Sequence, residues 1–325
     1  MLLDPPAADL LRKETVFFAG KGGVGKTTTA AAFALLSARC GRRTLLVSTD
    51  PAHNLGDLFA TPLGTSIQPV AEQLWALEID QETETRKYLE QVKSNLRHAV
   101  RSTLFAEACR HIDLAAHAPG TSEAAMFDRM VSILLDESAR YDAVIFDTAP
   151  TGHTIRLLTL AELMGVWIKG LLQRRQRHNA DYAQWLGDGE PIDDPIFEVL
   201  NKRRQRAAQV SQRLLHNATT GFVFVLVPER LPIEETRRGI EHLHGFGLQV
   251  NTLVINKILP QLIDDPFFHS RLQQQRAHLK RIDDALPSQT KLFLPLLRDD
   301  VDTLQSLKTV SEHLERELAR NANRT

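Results

Sequence analysis

Cysteine is almost absent from this chain. Cys40 and Cys109 are the only two in 325 residues, far apart and in no metal-ligand spacing. That excludes a disulfide framework and any four-cysteine zinc or iron–sulfur site built within one chain, and it is the usage expected of the cytosol. Both cysteines read as small, buried or half-buried helix residues. Methionine is also sparse, with four in the chain. No apolar run approaches the ~18 residues of a membrane span. The opening Met1-Leu2-Leu3-Asp4-Pro5-Pro6 has neither the basic nor the apolar region of a secretory signal. A cytoplasmic location is therefore expected, with any membrane contact made through a partner. Charge of either sign is not in excess: 39 Lys and Arg face 40 Asp and Glu, a net −1. Such balance leaves no electrostatic footprint for nucleic acid. His111, His117, His242 and His244 form no cluster with carboxylates or cysteines and are assigned no site.

What is present is a chain longer than one usual domain, with an ordinary soluble composition of 43% hydrophobic and 24% charged residues. Its organising stretch is Gly20-Lys21-Gly22-Gly23-Val24-Gly25-Lys26-Thr27-Thr28. A short apolar run, Thr15 to Ala19, precedes it, and an alanine-rich helical run from Thr29 to Ala38 follows. Strand, G-x-x-x-x-G-K-[ST] and helix are the full context of a phosphate-binding P-loop. Glycines let successive N–H groups turn toward one anion, and the helix N-terminus adds its partial positive charge. In that motif Lys26 reaches the β- and γ-phosphates and the Thr27 hydroxyl holds Mg²⁺.

Two more strands end in carboxylates. Thr44 to Thr49 leads into Asp50-Pro51-Ala52-His53-Asn54-Leu55-Gly56-Asp57. Groups beyond the carboxyl ends of strands face the ligand in doubly wound folds. Asp50 is then placed to order the magnesium shell through water, and Asp57 to orient or deprotonate the attacking water. Asp142 to Asp147 is a buried strand ending at a Walker-B-type aspartate, which reaches the magnesium through water. The polar loop Thr148-Ala149-Pro150-Thr151-Gly152-His153-Thr154 follows and is suited to sensing the γ-phosphate. His153 reads as a loop-ordering residue, with Asp57 the better base.

Between these motifs lie a strand from Leu74 to Asp80 and helical patterns from Glu82 to about Cys109 and from Thr121 to about Arg140. Another helical stretch runs from Ala161 to about Ala218, interrupted between Pro191 and Pro195. Arg174 to Arg177 and Lys202 to Arg206 are basic clusters read as solvated helix faces. Strands are expected at Gly221 to Val227, Leu248 to Ile255 and Lys291 to Leu294, with a last helix from about Val301 to Arg320. Asn256 and the Pro295-Leu296 loop emerge on the phosphate side, placed to meet the edge and the face of a base. The division that follows gives a core of residues 1–81, 141–160 and 219–325, and a helical subdomain of 82–140 and 161–218.

Gly-Lys-Gly-Gly-Val-Gly-Lys-Thr-Thr (20–28), Asp-Pro-Ala-His-Asn-Leu-Gly-Asp (50–57) and Asp-Thr-Ala-Pro-Thr-Gly-His-Thr (147–154) together resemble one family. It comprises the arsenite-pump ATPases of ArsA type and the guided-entry ATPases that target tail-anchored membrane proteins. Pro-Gly-Thr-Ser-Glu-Ala (119–124) and Pro228-Glu229 with Glu235-Thr236-Arg237 are similar to further family signatures. The resemblance covers nearly the whole chain and implies an α/β fold. That fold is a doubly wound, mostly parallel sheet of the SIMIBI-type P-loop NTPases, carrying an inserted helical subdomain. It implies a deviant Walker A loop whose Lys21 acts across a homodimer interface on the partner's nucleotide. This is the arginine-finger principle carried out by lysine. It also implies Asp57 as the water-activating residue, and His53, Thr148, Gly152 and His153 as switch residues. Glu229, Asn256, Pro295 and Leu296 would contact the nucleotide. ATP and Mg²⁺ are the implied cofactors, without zinc or an iron–sulfur cluster.

Three functions are compatible with that resemblance. The first is a homodimeric ATP-hydrolysing switch whose helical subdomain captures an apolar client helix. Leu89, Leu96, Leu104, Trp167, Leu171 and Leu172 either line a groove for it or pack between helices. The second is the driving ATPase of an arsenite or anion efflux pump. Trivalent arsenic prefers thiolates, and neither cysteine falls in the matching region. The third is a partition or positioning ATPase, which shares the P-loop but not the Asp50 to Asp57 motif. With one P-loop in the chain, a composite site requires a homodimer.

Overall fold

The computed structural model describes residues 9–50, 55–97, 102–116, 118, 120–148, 169–170, 173, 195–260 and 266–322. Runs of β-branched, leucine and phenylalanine residues form the central strands, and burial on both faces is why these runs are continuously apolar rather than alternating. They are β1 (Thr15–Ala19), β2 (Thr44–Ser48), β5 (Ala143–Asp147) and β6 (Thr220–Leu226), buried along their whole length. β3 (Gln68–Ala71), β4 (Leu74–Glu78), β7 (Thr252–Ile258) and β8 (Thr290–Pro295) complete a sheet of eight described strands, ordered β3-β4-β2-β5-β1-β6-β7-β8. Every pairing is parallel except β3 with β4. β3 was not anticipated from the sequence. It is a short, half-exposed edge strand carrying Pro69, a residue that suits an edge because it has no N–H to give.

The chain leaves β1 for β2 on one side and later returns to β6 on the other, so the strand order reverses beside β1. Ligand crevices form at such a switch point. α2 (Lys26–Arg39) starts there, and its alanines are almost entirely buried. Small side chains let it lie close on Val16, Phe18, Leu46, Ile145 and Val223 of the sheet and on Leu307, Val310 and Leu314 of α10 (Leu304–Ala322). The alternating residues turn to the opposite face. There the Phe17 ring stacks between Phe146 at 4.7 Å and Phe222 at 5.3 Å.

α8 (Arg230–Gly245) and α9 (Pro266–Ala285) also flank the sheet. β7 starts at Thr252, later than the apolar run from Leu248 suggests. Leu248 is used otherwise: its N–H bonds Leu243 O at 3.0 Å while Gly247 N–H bonds His244 O at 2.9 Å. With Gly247 at φ 77 this is a Schellman end for α8, which consumes the first part of the run. The short helices α1 (Asp9–Arg12) and α3 (Leu55–Leu58) belong to the same unit.

The described residues divide into two compact units, one within 1–80, 138–156 and 214–325, the other within 81–137 and 157–213. The second unit is helical among its described residues. It contains α4 (Gln81–Arg97), α5 (Ser102–Ala115), α6 (Thr121–Ser132) and most of α7 (Pro195–Leu215). The expected helix from Thr121 to Arg140 is α only to Ser132, then widens through a π-type turn at Ile133–Glu137 and ends in a tight 3-10 turn at Ser138–Arg140. Leu89, Met126, Phe127, Met130, Val131 and Val210 are buried. The Lys202 to Arg206 cluster is largely tied down. Arg203 sits 4.9 Å over the Tyr88 ring and donates to its hydroxyl at 3.0 Å, and Arg206 pairs with Asp136 at 2.5 Å. Among the described residues no helix is long and apolar enough to cross a membrane.

Candidate functional site

The loop between β1 and α2 is shaped by glycines for two different reasons. Gly20 (φ 151) and Gly25 (φ 90) have no room for a side chain. A Cβ would lie 2.2 Å from Val225 O at the first and 2.4 Å from Asn256 Nδ2 at the second. At Gly22 and Gly23 a Cβ would meet nothing within 4 Å, so the open side of the loop faces a cavity. The buried Lys26 side chain points back along the loop, its Nζ donating to Lys21 O at 3.4 Å. Val24 is buried beneath the loop and its carbonyl accepts Asn256 Nδ2 at 2.9 Å. The cavity measures about 1010 Å³. Gly22, Gly23, Gly25, Lys26, Thr27, Thr28, Asp50, Asp57, Asn256, Pro295 and Leu296 all line it. One crevice thus gathers residues from four strand ends.

Asp147, at the end of β5, does not line this cavity but interacts with three residues that do, Thr27, Lys26 and Asp50. It is fully buried; its Oδ2 accepts from Ser48 Oγ at 3.4 Å, and its Oδ1 has no hydrogen-bond partner. Burial pushes its carboxyl up to about 7, with Asp50 adding to the rise, while the Thr27 and Ser48 hydroxyls and the Lys26 charge pull it down. An orphaned carboxylate oxygen in a buried site costs free energy unless something supplies the missing contact. A hydrated Mg²⁺ held beside Thr27, with Asp50 on the same cavity wall, fits that need. Thr148 fastens the end of β5 to β1, its Oγ1 donating to Phe18 O at 2.6 Å.

Asn256 and Lys257 follow Ile255 where the β7–β8 register slips. Asn256 Oδ1 accepts Lys257 N–H at 2.8 Å, and one Nδ2 hydrogen goes to Val24 O, so one donor remains for a ligand. Lys257 holds the left-handed conformation (φ 58) and its Nζ donates to Gly23 O at 3.2 Å. Glu229 does not line the cavity beside the P-loop. It lines a neighbouring space of about 210 Å³ that shares Lys257 and Leu296 with it. Lys21 places its ammonium on Glu235 of α8 at 3.0 Å and does not line the cavity. His53, Gly152 and His153 lie outside the described residues.

Sequence reasoning gave no role to Glu78, to Lys257, or to Glu235, which it met only as part of a family signature. Glu78 carried the same signal as Asp147, a carboxylate closing a buried apolar strand. Lys257 was visible only as a neighbour of Asn256. Nothing in the sequence pairs Glu235 with Lys21 across more than two hundred residues.

The profile of the family described as "Anion-transporting ATPase" matches residues 13–316. The chain is 32% identical to the putative arsenical pump-driving ATPase 2 of Aquifex aeolicus, over 92% of this chain and 98% of that protein. It is 31% identical to ATPase ASNA1 homolog 1 of Paramecium tetraurelia, over 96% of each. The arsenical pump-driving ATPase of Acidiphilium multivorum is 35% identical over 90% of this chain but only 48% of its own length. A P-loop between β1 and α2 opening on a crevice, and a match of this extent, lead to one conclusion: the chain is an ATPase and belongs to the ArsA-type anion-transporting ATPase family.

Proposed function

We propose that the protein is a homodimeric, ATP-driven switch of the guided-entry kind. ATP binding and hydrolysis would open and close the helical unit on an apolar client, such as a tail-anchored membrane protein. The observation that carries this reading is Lys21: a second P-loop lysine whose ammonium rests on Glu235 rather than on its own phosphates. A cation held out of its own site, in a chain with one P-loop, is suited to serve a partner's site. In the dimer Lys21 leaves Glu235 and offsets charge developing on the partner's transferring phosphoryl group.

The remaining roles follow from position. Loop N–H groups and Lys26 bind the phosphates. When bound, Mg²⁺ neutralises phosphate charge, and Thr27 together with Asp50 and Asp147 through water would hold it. Asp57, exposed on the cavity wall, orients and deprotonates the attacking water. Asn256 gives its remaining N–H to the base, Pro295 and Leu296 cover the base, and Glu229 supports it from the adjoining space. His53 and the loop from Thr148 through Gly152 and His153 carry the γ-phosphate signal toward the helical unit. The setting is cytoplasmic, with membrane contact through a partner.

Efflux is the second reading, favoured by the family's description and the Aquifex relative's name. A paired assay separates the two: ATPase rate with and without arsenite, and co-purification with a tail-anchored test protein. Capture of the client without arsenite stimulation is the expected result. Stimulation without capture would replace the targeting reading by the pump.

A further inference from the structure

Glu78 closes β4 as a buried carboxylate, 5% exposed. Its Oε1 accepts the N–H of Leu55 at 2.8 Å and that of Gly56 at 3.2 Å. These are the two residues before Asp57. The same residue's backbone N–H donates to Gly64 O at 3.0 Å. Glu78 therefore grips both ends of the segment that carries Asp57. The segment is also closed on itself: Thr61 N–H bonds Gly56 O at 3.0 Å, and a Cβ at Gly56 would lie 3.1 Å from Thr61 O.

The register gives this grip its meaning. Ser48 is paired with Glu78 on one side and with Asp147 on the other. Glu78, Ser48 and Asp147 thus form one row across three parallel strands, with side chains on the same face. Neighbouring strands lie about 4.8 Å apart, so the row holds the two carboxylate-bearing backbones about 10 Å apart. One end of the row is the magnesium-side aspartate; the other fastens the water-activating loop.

We propose that Glu78 is the positioning residue for Asp57, using a rigid row of the sheet to set the distance between attacking water and metal. This rests on the role given to Asp57 above. A buried carboxylate on two N–H groups makes strong, charge-assisted hydrogen bonds, and a displacement of about 1 Å at a reacting group costs about a hundredfold in rate.

The test compares Glu78→Gln and Glu78→Ala in the full chain, by single-turnover ATP hydrolysis and by ATP binding, alone and in an Asp57→Asn background. Gln keeps an acceptor oxygen and Ala does not. The expected order of turnover is wild type, Gln, then Ala, with Ala down about a hundredfold, ATP affinity within about twofold, and no further loss when Asp57 is already Asn. Hydrogen exchange at the Leu55 and Gly56 amides should speed up in both variants. If the Ala variant does not fold, the Gln variant's turnover and its exchange at those two amides decide alone. Unchanged turnover, parallel loss of ATP affinity, or a loss that multiplies in the Asp57→Asn background would each overturn the proposal. Normal turnover by Asp57→Asn itself would instead overturn the role of Asp57, a separate result.

Discussion

The nucleotide core and the helical unit use charge in opposite ways. In the core, Lys26, Glu78 and Asp147 are buried at the ends of strands or at the start of α2, where ionised groups are expensive. They persist because neighbours are arranged around them: two N–H groups for Glu78, hydroxyls and a lysine for Asp147. In the helical unit charges pair with each other near the surface, as in Arg206 with Asp136 and Lys93 with Asp113. Such pairs contribute up to about 1 kcal/mol each. Buried titratable groups held by specific partners at strand ends mark the site, whereas paired charge with exposed members marks a solvated helix.

This contrast orders the expected effects of mutation. Asp57→Asn should lower turnover by roughly a thousandfold while nucleotide binding, followed by calorimetry, is kept. Gly25→Ala comes next. It forces a side chain into a left-handed position and against Asn256, so nucleotide affinity should fall by at least about tenfold and the core should lose about 1 kcal/mol or more. A variant that binds normally would show that Asn256 and the loop are less tightly joined than the 2.9 Å contact indicates.

Effects in the helical unit should be smaller and readable through pH. Asp136 is held below the usual carboxylate range, first by its hydrogen bond from Arg206. Its contribution is present above its ordinary pKa and is lost as pH falls through the depressed one. Asp128 is pushed up, first by burial, against the nearby Arg203 and Arg206. Its contribution runs the other way, present at low pH and lost as pH rises through the raised value. Asp128→Asn should therefore stabilise this unit at pH 7, and Arg206→Ala should destabilise it, each by about 0.5–1 kcal/mol in urea unfolding. Neither should change basal ATP turnover. An opposite sign for Asp128→Asn would mean that the two arginines outweigh its burial.

The same contrast explains what the sequence disclosed. Phosphate-binding loops need fixed residue types at fixed spacing, so the strand–loop–helix at Gly20 to Thr28 and the strand ends at Asp50 and Asp147 were legible in the sequence. The fold brings the loop from Gly22 to Thr28, Asp50 and Asp57 to one cavity. The central strands were readable because burial on both faces makes their apolar runs continuous. α8 and α9 were missed: their polar faces dilute the apolar period, as in Arg237-Arg238 and in Gln273 to Arg276. The start of β7 was misread because Leu248 caps α8 instead of pairing. The partners of Glu78 and Glu235 were not legible because Leu55 and Lys21 are brought to them only by the fold. In the helical unit many hydrophobic sequences would pack equally well, so amphipathic spacing names the helices without naming a client.

The homodimeric switch is tested most directly by specific ATPase activity as a function of protein concentration, for wild type and Lys21→Ala side by side. Wild-type activity should rise as dimers form and then level off, while Lys21→Ala stays at the dilute-protein rate throughout. Activity independent of concentration, with Lys21→Ala as fast as wild type, would contradict a cation supplied in trans.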